Sequence, residues 1–418
     1  MTPLVLCESD PRRLFEAFWG GVQEGRAVAV LDARWPSGLV SRSRRLVEAA
    51  ANSLRPGDLV LFTSGSGGRP RAVHRSLASW EASLAPLTQV LGSTADDVTW
   101  LPGHPTSTAV LYGAFHAASL GAPVCFAGEP RATAQAPERA AARVVHAVPS
   151  LVPGLLRAHR AGELPALRLI VTAGDAVPEA LHGACRAQGV RLVAYYGAAE
   201  LSFVAVRGHE LDRDEEDGDR EGDEAMEGYR PFPGVEVQVR DGLLWSRSPY
   251  QAYGYLQAPE ESPEKPHDDG PLRHDDGPLR RDAQGFATVG DHAVLRQVAG
   301  GPARVQVLGR ADAAVTVSGH TVIAEEVELA LRAAPGIGDV VVVGVPDPVH
   351  GQRIAALWTG SSDADIRGAV AALPRPARPR SWHHLPALPR TTGGKPDRAA
   401  ARRLAEQLRA PAGGAAHE

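Results

Sequence analysis

The chain has 418 residues, of which 44% are hydrophobic and 22% are charged, and its formal net charge is −5. Those proportions are typical of a globular protein, and the length is enough for about two or three domains. The small negative charge gives no argument for nucleic acid as a partner. The three cysteines form no Cys-x-x-Cys pair, and neither a leader pattern nor a long apolar run is visible, so we expect a cytoplasmic protein without a membrane span.

The first elements surround a glycine-rich segment. We predict a strand over 27–31, a helix over 39–54 and a buried strand over 58–62. The following segment, 63–71, contains three glycines, hydroxyl side chains and two arginines. Glycine lets backbone N–H groups approach a ligand and arginine adds positive charge, so the segment suits a polyphosphate. A polar turn is the other interpretation; a Walker A loop is excluded by the missing Gly-Lys-Ser/Thr.

Helix and strand patterns then alternate. Predicted helices over 76–91 and 109–120 precede a short strand over 123–126, and the next strands are expected at 144–148, 167–172 and 191–195. This alternation indicates a parallel sheet with flanking helices. Ligands of such sheets bind beyond the C-terminal ends of the strands. The residues after the last two strands are therefore candidate site residues.

The remaining chain is divided by two polar segments. Residues 210–227 contain eleven acidic side chains, which predicts a solvated loop, and the seven-residue sequence HDDGPLR occurs twice over 267–280, which also indicates a loop. Between them, 235–239 and 242–246 alternate as the two strands of an antiparallel hairpin. A helix is expected to begin at Glu325, and a strand is expected over 339–347.

Six segments resemble, in order, the motifs of the adenylate-forming superfamily, which contains acyl-CoA synthetases, adenylation domains of peptide synthetases and luciferases. They resemble its phosphate loop, its adenine turn, its Tyr-Gly-x-Thr-Glu, Thr-Gly-Asp and Gly-Arg-x-Asp-Asp motifs and its C-terminal Gly-Lys motif, at 63–71, 173–178, 196–200, 286–291, 307–312 and 388–398. The segment before residue 58 is shorter than is usual there, which predicts a shortened N-terminal lobe.

The resemblance implies an α/β fold with two domains. Residues 1–310 would form a large N-terminal domain of parallel and mixed sheets with flanking helices and a β-rich subdomain. Residues 311–418 would form a small mobile α+β C-terminal domain that carries the catalytic lysine. Asp312 would be the hinge between the two domains.

The resemblance also implies a role for each motif residue. The phosphates of ATP would be held by Thr63, Ser64, Gly65, Ser66, Gly67 and Arg71. The adenine would lie against Gly174, Asp175, Tyr196 and Gly197, and the ribose against Asp291 and Arg310. Glu200 and Thr63 would bind Mg²⁺, and Lys395 would be the catalytic lysine.

Two further positions concern the other substrates. Gly319 would face the tunnel of the thiol. His104 would border the acyl pocket, although an ordinary histidine in a surface turn is the other interpretation.

The implied reaction has two steps. A carboxylic acid and ATP would give acyl-AMP and pyrophosphate, and CoA would then displace AMP to give an acyl-CoA thioester. The phosphopantetheine of a carrier protein is the alternative acceptor, and the Arg-rich run at 375–380 would suit an acidic carrier unless it is a solvated linker. A relative that binds nucleotide without catalysis is a further alternative, because Arg71 replaces lysine, Ala199 replaces threonine and Thr321 replaces arginine; Ser202 is a candidate substitute for the missing threonine.

Overall fold

A computed structural model describes residues 2–63, 70–126, 140–174, 177–208, 228–257, 278–298, 303–310, 315–317, 320–347, 351–391 and 395–409. The strands are β1 (Leu4–Leu6), β2 (Val28–Val30), β3 (Asp58–Thr63), β4 (Arg71–Ser76), β5 (Thr99–Leu101), β6 (Val124–Phe126), β7 (Val144–Ala147), β8 (Leu169–Ala173), β9 (Arg191–Ala198), β10 (Ser202–Gly208), β11 (Arg230–Pro231), β12 (Glu236–Arg240), β13 (Leu243–Arg247), β14 (Gly254–Tyr255), β15 (Arg280–Arg281), β16 (Ala287–Thr288), β17 (Asp291–Arg296), β18 (Arg304–Arg310), β19 (Val315–Val317), β20 (His320–Val322), β21 (Ile337–Asp347), β22 (Gly351–Gly360) and β23 (Ser381–His384). The helices are α1 (Pro11–Gln23), α2 (Ser37–Ala49), α3 (Leu77–Glu81), α4 (Leu84–Leu91), α5 (Thr108–Ser119), α6 (Val152–Arg160), α7 (Glu179–Arg186), α8 (Ala324–Arg332), α9 (Ile366–Ala372) and α10 (Arg398–Arg409).

The first sheet carries both ends of the predicted phosphate loop. Its strand order is β1-β2-β3-β4-β14; the first three strands are parallel, and β4 is antiparallel to both of its neighbours. All residues of β3 before Thr63 are buried, as its apolar run predicts. Thr63 pairs in register with Arg71 on β4, so the two ends of the loop lie opposite each other.

The second sheet is mostly parallel, as the alternating pattern predicts. Its order is β11-β10-β9-β8-β7-β5-β6, and β5 to β9 all run in parallel. The strand predicted over 191–195 is longer, because β9 continues to Ala198 and then pairs with the antiparallel β10. The core between the first two sheets includes Phe18 of α1, Leu59 of β3 and Phe115 of α5, all nearly or fully buried.

The third sheet is antiparallel and confirms the predicted β-rich subdomain. Its order is β15-β16-β13-β17-β18, and β12 pairs with β13 as the predicted hairpin. Two predicted loops, the acidic run at 210–227 and most of the repeat at 267–280, lie outside the described residues.

The fourth sheet belongs to the small C-terminal domain. Its order is β20-β19-β22-β21, and β23 joins β22 in parallel. Alternation along β21 gives the sheet two buried faces, because Val340 and Val342 pack with α8 while Val341 and Val343 pack with α10. The predicted boundary after residue 310 falls between β18 and β19, at residues 311–314 outside the described ranges, and stays a prediction.

Two predicted helices differ from those observed. The helix expected over 39–54 runs instead from Ser37 to Ala49. The helix expected over 76–91 is divided into α3 and α4. Pro86 explains the division, because a proline has no N–H to donate and its ring would clash with the carbonyl four residues earlier in a continuous helix.

Candidate active site

Glu200 lies in the turn between β9 and β10, at the C-terminal edge of the parallel strands. Its side chain is 8% exposed, and its Oε1 accepts a 2.7 Å hydrogen bond from the hydroxyl of Tyr255. The backbone carbonyl of Glu200 accepts a second hydrogen bond, of 2.8 Å, from the N–H of Ala252. The predicted metal ligand is therefore fixed through its main chain as well as its side chain.

Arg75 supports the same turn from the interior. Alternation along β4 puts Val73 and Arg75 on a buried face, and Arg75 has no solvent exposure. Its guanidinium donates to the carbonyl of Ala199 at 3.0 Å and to the hydroxyl of Ser202 at 2.7 Å. Burial lowers the pKa of Arg75 to about 9, and the charge of Glu200 opposes part of that shift. A satisfied buried network of this kind makes the turn rigid.

The hydroxyl of Ser202 is used within the protein. It accepts from Arg75 and donates to the carbonyl of Tyr250 at 2.9 Å. Ser202 also has a left-handed backbone, with φ of +57°. Since its single proton goes to the Tyr250 carbonyl, this geometry does not support Ser202 as a substitute for the threonine that Ala199 replaces.

Arg71 joins this group from the first sheet, where it pairs in register with Thr63. The guanidinium carbon of Arg71 is 3.4 Å from the centroid of the Tyr255 ring, and the hydroxyl of the same ring binds Glu200. The structure therefore connects the predicted phosphate arginine to the predicted metal ligand. The predicted loop contacts Ser64, Gly65, Ser66 and Gly67 lie outside the described residues.

The predicted adenine and ribose residues also lie together. The hydroxyl of Tyr196 donates to the carboxylate of Asp291, which is 8% exposed. Asp291 pairs in register with Arg310 on the neighbouring strand. Gly197 has a structural explanation of its own, because a Cβ there would collide with the carbonyl oxygen of Ser202 across the β9–β10 hairpin.

Lys395 reaches the large domain from the small one. A Cβ placed on Gly174 would lie 2.8 Å from Cε and 3.3 Å from Nζ of Lys395, so the lysine passes over a position that only glycine leaves open. Gly174 also has φ of +93°, which favours glycine. It follows β8, whose last residue pairs with Tyr195. Lys395 therefore meets the edge of the sheet at which Tyr196 also lies.

The segment around Lys395 is tied to its own domain. The carbonyl of Lys395 accepts a 2.8 Å hydrogen bond from the N–H of Thr391. Arg390, next to Thr391, forms an ion pair with an aspartate on β21. Arg398, at the start of α10, donates to the buried carboxylate of Glu328 at 2.6 Å. The lysine is thus presented by a hairpin that the small domain holds on both sides.

The two predicted metal ligands have donor atoms that fit Mg²⁺. Glu200 and Thr63 offer a carboxylate and a hydroxyl, and Mg²⁺ prefers such oxygen donors, with water and substrate phosphates completing its shell. The Tyr255 hydroxyl bonds to Oε1, which is one of the two oxygens of this carboxylate.

Comparison with known protein families agrees with this arrangement. Residues 7–256 match the family described as AMP-binding enzyme, and residues 326–395 match the AMP-binding enzyme C-terminal domain. The chain belongs to the AMP-binding enzyme family. It is therefore a ligase of the adenylate-forming superfamily.

Individual relatives in this family are distant. An uncharacterized acyl-CoA ligase of Bacillus subtilis (strain 168) is 27% identical over 363 residues, 83% of this chain and 68% of the relative. Triostin synthetase I of Streptomyces triostinicus is 28% identical over 374 residues, 83% of this chain and 65% of that protein. The chain thus spans about two thirds of each of these relatives.

A solved structure shares the fold. A variant of E. coli MenE with bound OSB-AMS superposes with a TM-score of 0.76 at 19% identity, covering 98% of this chain and 88% of that one. The large N-terminal and small C-terminal domains predicted from the motifs are confirmed. Among the helices of the described ranges, none has the length and apolar character needed to cross a membrane.

His104 lies in the turn after β5, and its side chain contacts the N-terminal segment at Ser9. Its two ring nitrogens lie 3.1 Å from the hydroxyl of Thr106 and 3.1 Å from the carbonyl of Ser9. Burial lowers the pKa of His104 below its usual value. Both nitrogens therefore have partners that hold this turn, and the placement of His104 in an acyl pocket stays a prediction.

Some predicted site residues lie outside the described ranges, namely Asp175, Asp312 and Gly319. Arg310 is described only by its backbone.

Two residues at the site, Arg75 and Tyr255, were not among those predicted. Arg75 carried a usable signal, since a charged residue two positions after a buried valine on a strand must face inward. Tyr255 carried only its place after a glycine, and its two partners are far away in the sequence.

Proposed function

We propose that this AMP-binding enzyme is an AMP-forming acid–thiol ligase of the acyl-CoA synthetase type. The observation that carries the proposal is the contact between Lys395 of the small domain and Gly174 of the large one. A lysine that crosses between domains to the end of a strand is suited to meet a nucleotide and an acid held at that edge of the sheet.

The first step would form an acyl-adenylate. The acid carboxylate attacks the α-phosphorus of ATP, and pyrophosphate leaves. The ammonium group of Lys395 offsets the negative charge that the two anions bring together, which is the form of catalysis expected of a flexible point charge. Tyr196 and Asp291 would hold the adenine and ribose, and their mutual hydrogen bond aligns one with the other.

The triphosphate end would be held by the first sheet. Arg71 supplies a positive charge at the end of the predicted phosphate loop, opposite Thr63. Glu200 and Thr63 would bind Mg²⁺, which when bound neutralises phosphate charge. Because Glu200 is fixed by Tyr255 and by its backbone, it can bind the cation without first being ordered.

The second step would transfer the acyl group to a thiol. The thiol sulfur attacks the acyl carbonyl and AMP leaves. For this step Lys395 would withdraw as the small domain turns about Asp312, and Gly319 would face the thiol tunnel. CoA is the acceptor that we propose, and the phosphopantetheine of a carrier protein is the alternative, since the relatives named above include an acyl-CoA ligase and a synthetase.

The test is acid-dependent pyrophosphate release with Mg-ATP across aryl, short-chain and long-chain acids. We expect release with one acid class, and thioester formation when CoA is added. Thioester formation with a phosphopantetheinylated carrier protein, but not with CoA, would assign the other acceptor.

Absence of release with every acid, together with ATP binding, would contradict the proposal and favour the relative that only binds nucleotide. Ala199→Thr, which restores the usual threonine, would then be the variant to measure. Recovery of release in that variant would locate the defect at the missing phosphate contact.

A further inference from the structure

Tyr255 lies at one edge of the first sheet, beside the predicted phosphate loop. It pairs in register with Val73 on β4, and the flanking Tyr253 and Leu256 donate backbone hydrogen bonds to His74 and Ala72 at 2.9 and 2.8 Å. Arg71 is two residues from Val73 on the same strand, so it is the diagonal neighbour that an aromatic ring opposite Val73 can reach. The ring position is therefore set by the sheet.

The hydroxyl of Tyr255 fixes one orientation of Glu200. The hydrogen bond to Oε1 is 2.7 Å long, which is the usual length for a hydroxyl donor. The backbone of Glu200 is already anchored by Ala252, and the preceding carbonyl is anchored by Arg75. With its backbone fixed on both sides, the remaining freedom of the glutamate is rotation of its side chain, and the Tyr255 hydroxyl restrains that rotation.

The ring of Tyr255 holds a second group. The guanidinium carbon of Arg71 is 3.4 Å from the ring centroid, which is stacking distance. A planar guanidinium can lie flat on a ring while its edge still offers hydrogen-bond donors, whereas an ammonium group has no plane to stack. An arginine at this position is thus matched to the tyrosine ring on which it lies.

We propose that Tyr255 is a positioning residue that orders the phosphate arginine and the metal carboxylate together before ATP and Mg²⁺ bind. This inference rests on the proposed function, because it assumes that Arg71 meets the phosphates and that Glu200 meets the cation. One side chain then links the two charges of opposite sign that a metal–triphosphate complex requires. Without it, each would have to be ordered at the expense of binding.

The test uses equilibrium binding of α,β-methylene-ATP, which does not react with an acid, titrated with and without Mg²⁺. Tyr255→Phe keeps the ring and removes the hydroxyl. We expect it to raise the Mg²⁺ concentration for half-maximal tightening about tenfold, while nucleotide binding without Mg²⁺ changes little. Tyr255→Leu removes both contacts, and should also weaken Mg²⁺-free binding by about three- to tenfold.

Arg71→Lys tests the ring from the other side. In the wild-type background it should weaken Mg²⁺-free nucleotide binding several-fold, because the stacked arginine is lost. In the Tyr255→Leu background it should have little further effect, since the two side chains act as one unit.

Tyr253 provides the matched control. It is two residues away, 53% exposed, and packs edge-on against His74 with ring centroids 5.0 Å apart. Tyr253→Phe and Tyr253→Leu should leave both binding constants unchanged. Thermal melting of each variant checks that all of them fold.

The outcomes distinguish the proposed function from the positioning role of Tyr255. No binding of the analogue by the wild type would contradict the proposed function itself. Binding by the wild type, with both Tyr255 variants equal to their Tyr253 counterparts, would overturn the positioning role and leave the function standing. Equal losses for Tyr255→Phe and Tyr255→Leu, independent of Mg²⁺, would show that Tyr255 only packs, and would overturn it too.

Discussion

Glu200 and Lys395 would bring opposite charges to the proposed site, and the protein holds the two residues in different ways. Glu200 is 8% exposed and is fixed by Tyr255, by a backbone bond and by the buried Arg75. Lys395 is exposed on a hairpin of the other domain and meets Gly174 with its side chain. The position of the carboxylate thus follows from folding of the large domain, whereas the position of the lysine also depends on where the small domain lies.

The largest expected effect comes from removing the positive charge of Lys395. Lys395→Ala should reduce acid-dependent pyrophosphate release by about 10²–10³-fold, because charge stabilisation at the reacting groups is lost. The melting temperature should stay the same, since the lysine is exposed. Thioester formation from a supplied acyl-adenylate should also be spared.

Arg403→Ala is the control, because it removes a positive charge from an exposed position of α10 in the same domain. A loss of the thioester step in Lys395→Ala equal to that of pyrophosphate release would contradict the separation of the two steps.

A smaller effect should follow from adding a methyl group at Gly174, where the side chain of Lys395 contacts the large domain. In Gly174→Ala the new methyl group would overlap Cε of Lys395, so adenylate formation should fall roughly ten- to hundredfold through misplacement of the ammonium group. Pyrophosphate release measures this step.

Gly189→Ala is the matched control for backbone strain. Gly189 also has a positive φ, of +69°, but a Cβ there would meet nothing within 4 Å. Both variants should lose similar stability, and only Gly174→Ala should lose the reaction. Equal rates in the two variants would show that the contact with Lys395 is not required.

The smallest expected effect concerns the pH dependence of the stability of the large domain, which holds Glu200. Burial lowers the pKa of His116 to about 4 and that of His146 to about 3, both in the large domain. Since the unfolded values are about 6.5, the unfolded chain takes up these protons first, and stability falls as the pH drops from about 6.5 towards 4 and then 3. Each histidine should contribute up to about 1.4 kcal/mol per pH unit in its window.

Urea unfolding between pH 7 and pH 5 measures this loss. His116→Gln keeps a group that can bond to the hydroxyl of Thr88, which lies 2.9 Å from the ring of His116, but does not titrate. Its free energy of unfolding should therefore depend less on pH than that of the wild type. An unchanged pH dependence would show that His116 is not the group responsible.

The sequence predicted the positions of strands and motifs better than the contacts between them. Buried runs such as 58–62 and 339–347 became β3 and β21 because an apolar stretch of that length has few other ways to be buried. The motif residues Tyr196 and Asp291 were expected at one nucleotide, and they are hydrogen-bonded to each other. The roles of these residues remain predictions.

What the sequence could not supply was the partners that distant segments provide. Tyr255 lies 55 residues from Glu200 and far from Arg71, and no local pattern reports such a contact. The geometry does not support the expectation for Ser202 for the same reason, because its hydroxyl bonds to Arg75 and to the carbonyl of Tyr250. The division of the helix expected over 76–91 was missed because a single residue, Pro86, decides it.

The anchoring of the Lys395 hairpin has a consequence for how the enzyme would be switched. After Lys395 in the sequence, Arg398 donates a hydrogen bond to Glu328. Before it, Arg390 forms an ion pair with Asp339 on β21. In the proposed domain rotation, the backbone of Lys395 would therefore move together with the small domain, although its side chain keeps its own rotations. A small rotation of that domain would separate the ammonium group from Gly174 completely. The orientation of the small domain would therefore decide whether the lysine is in the site or out of it.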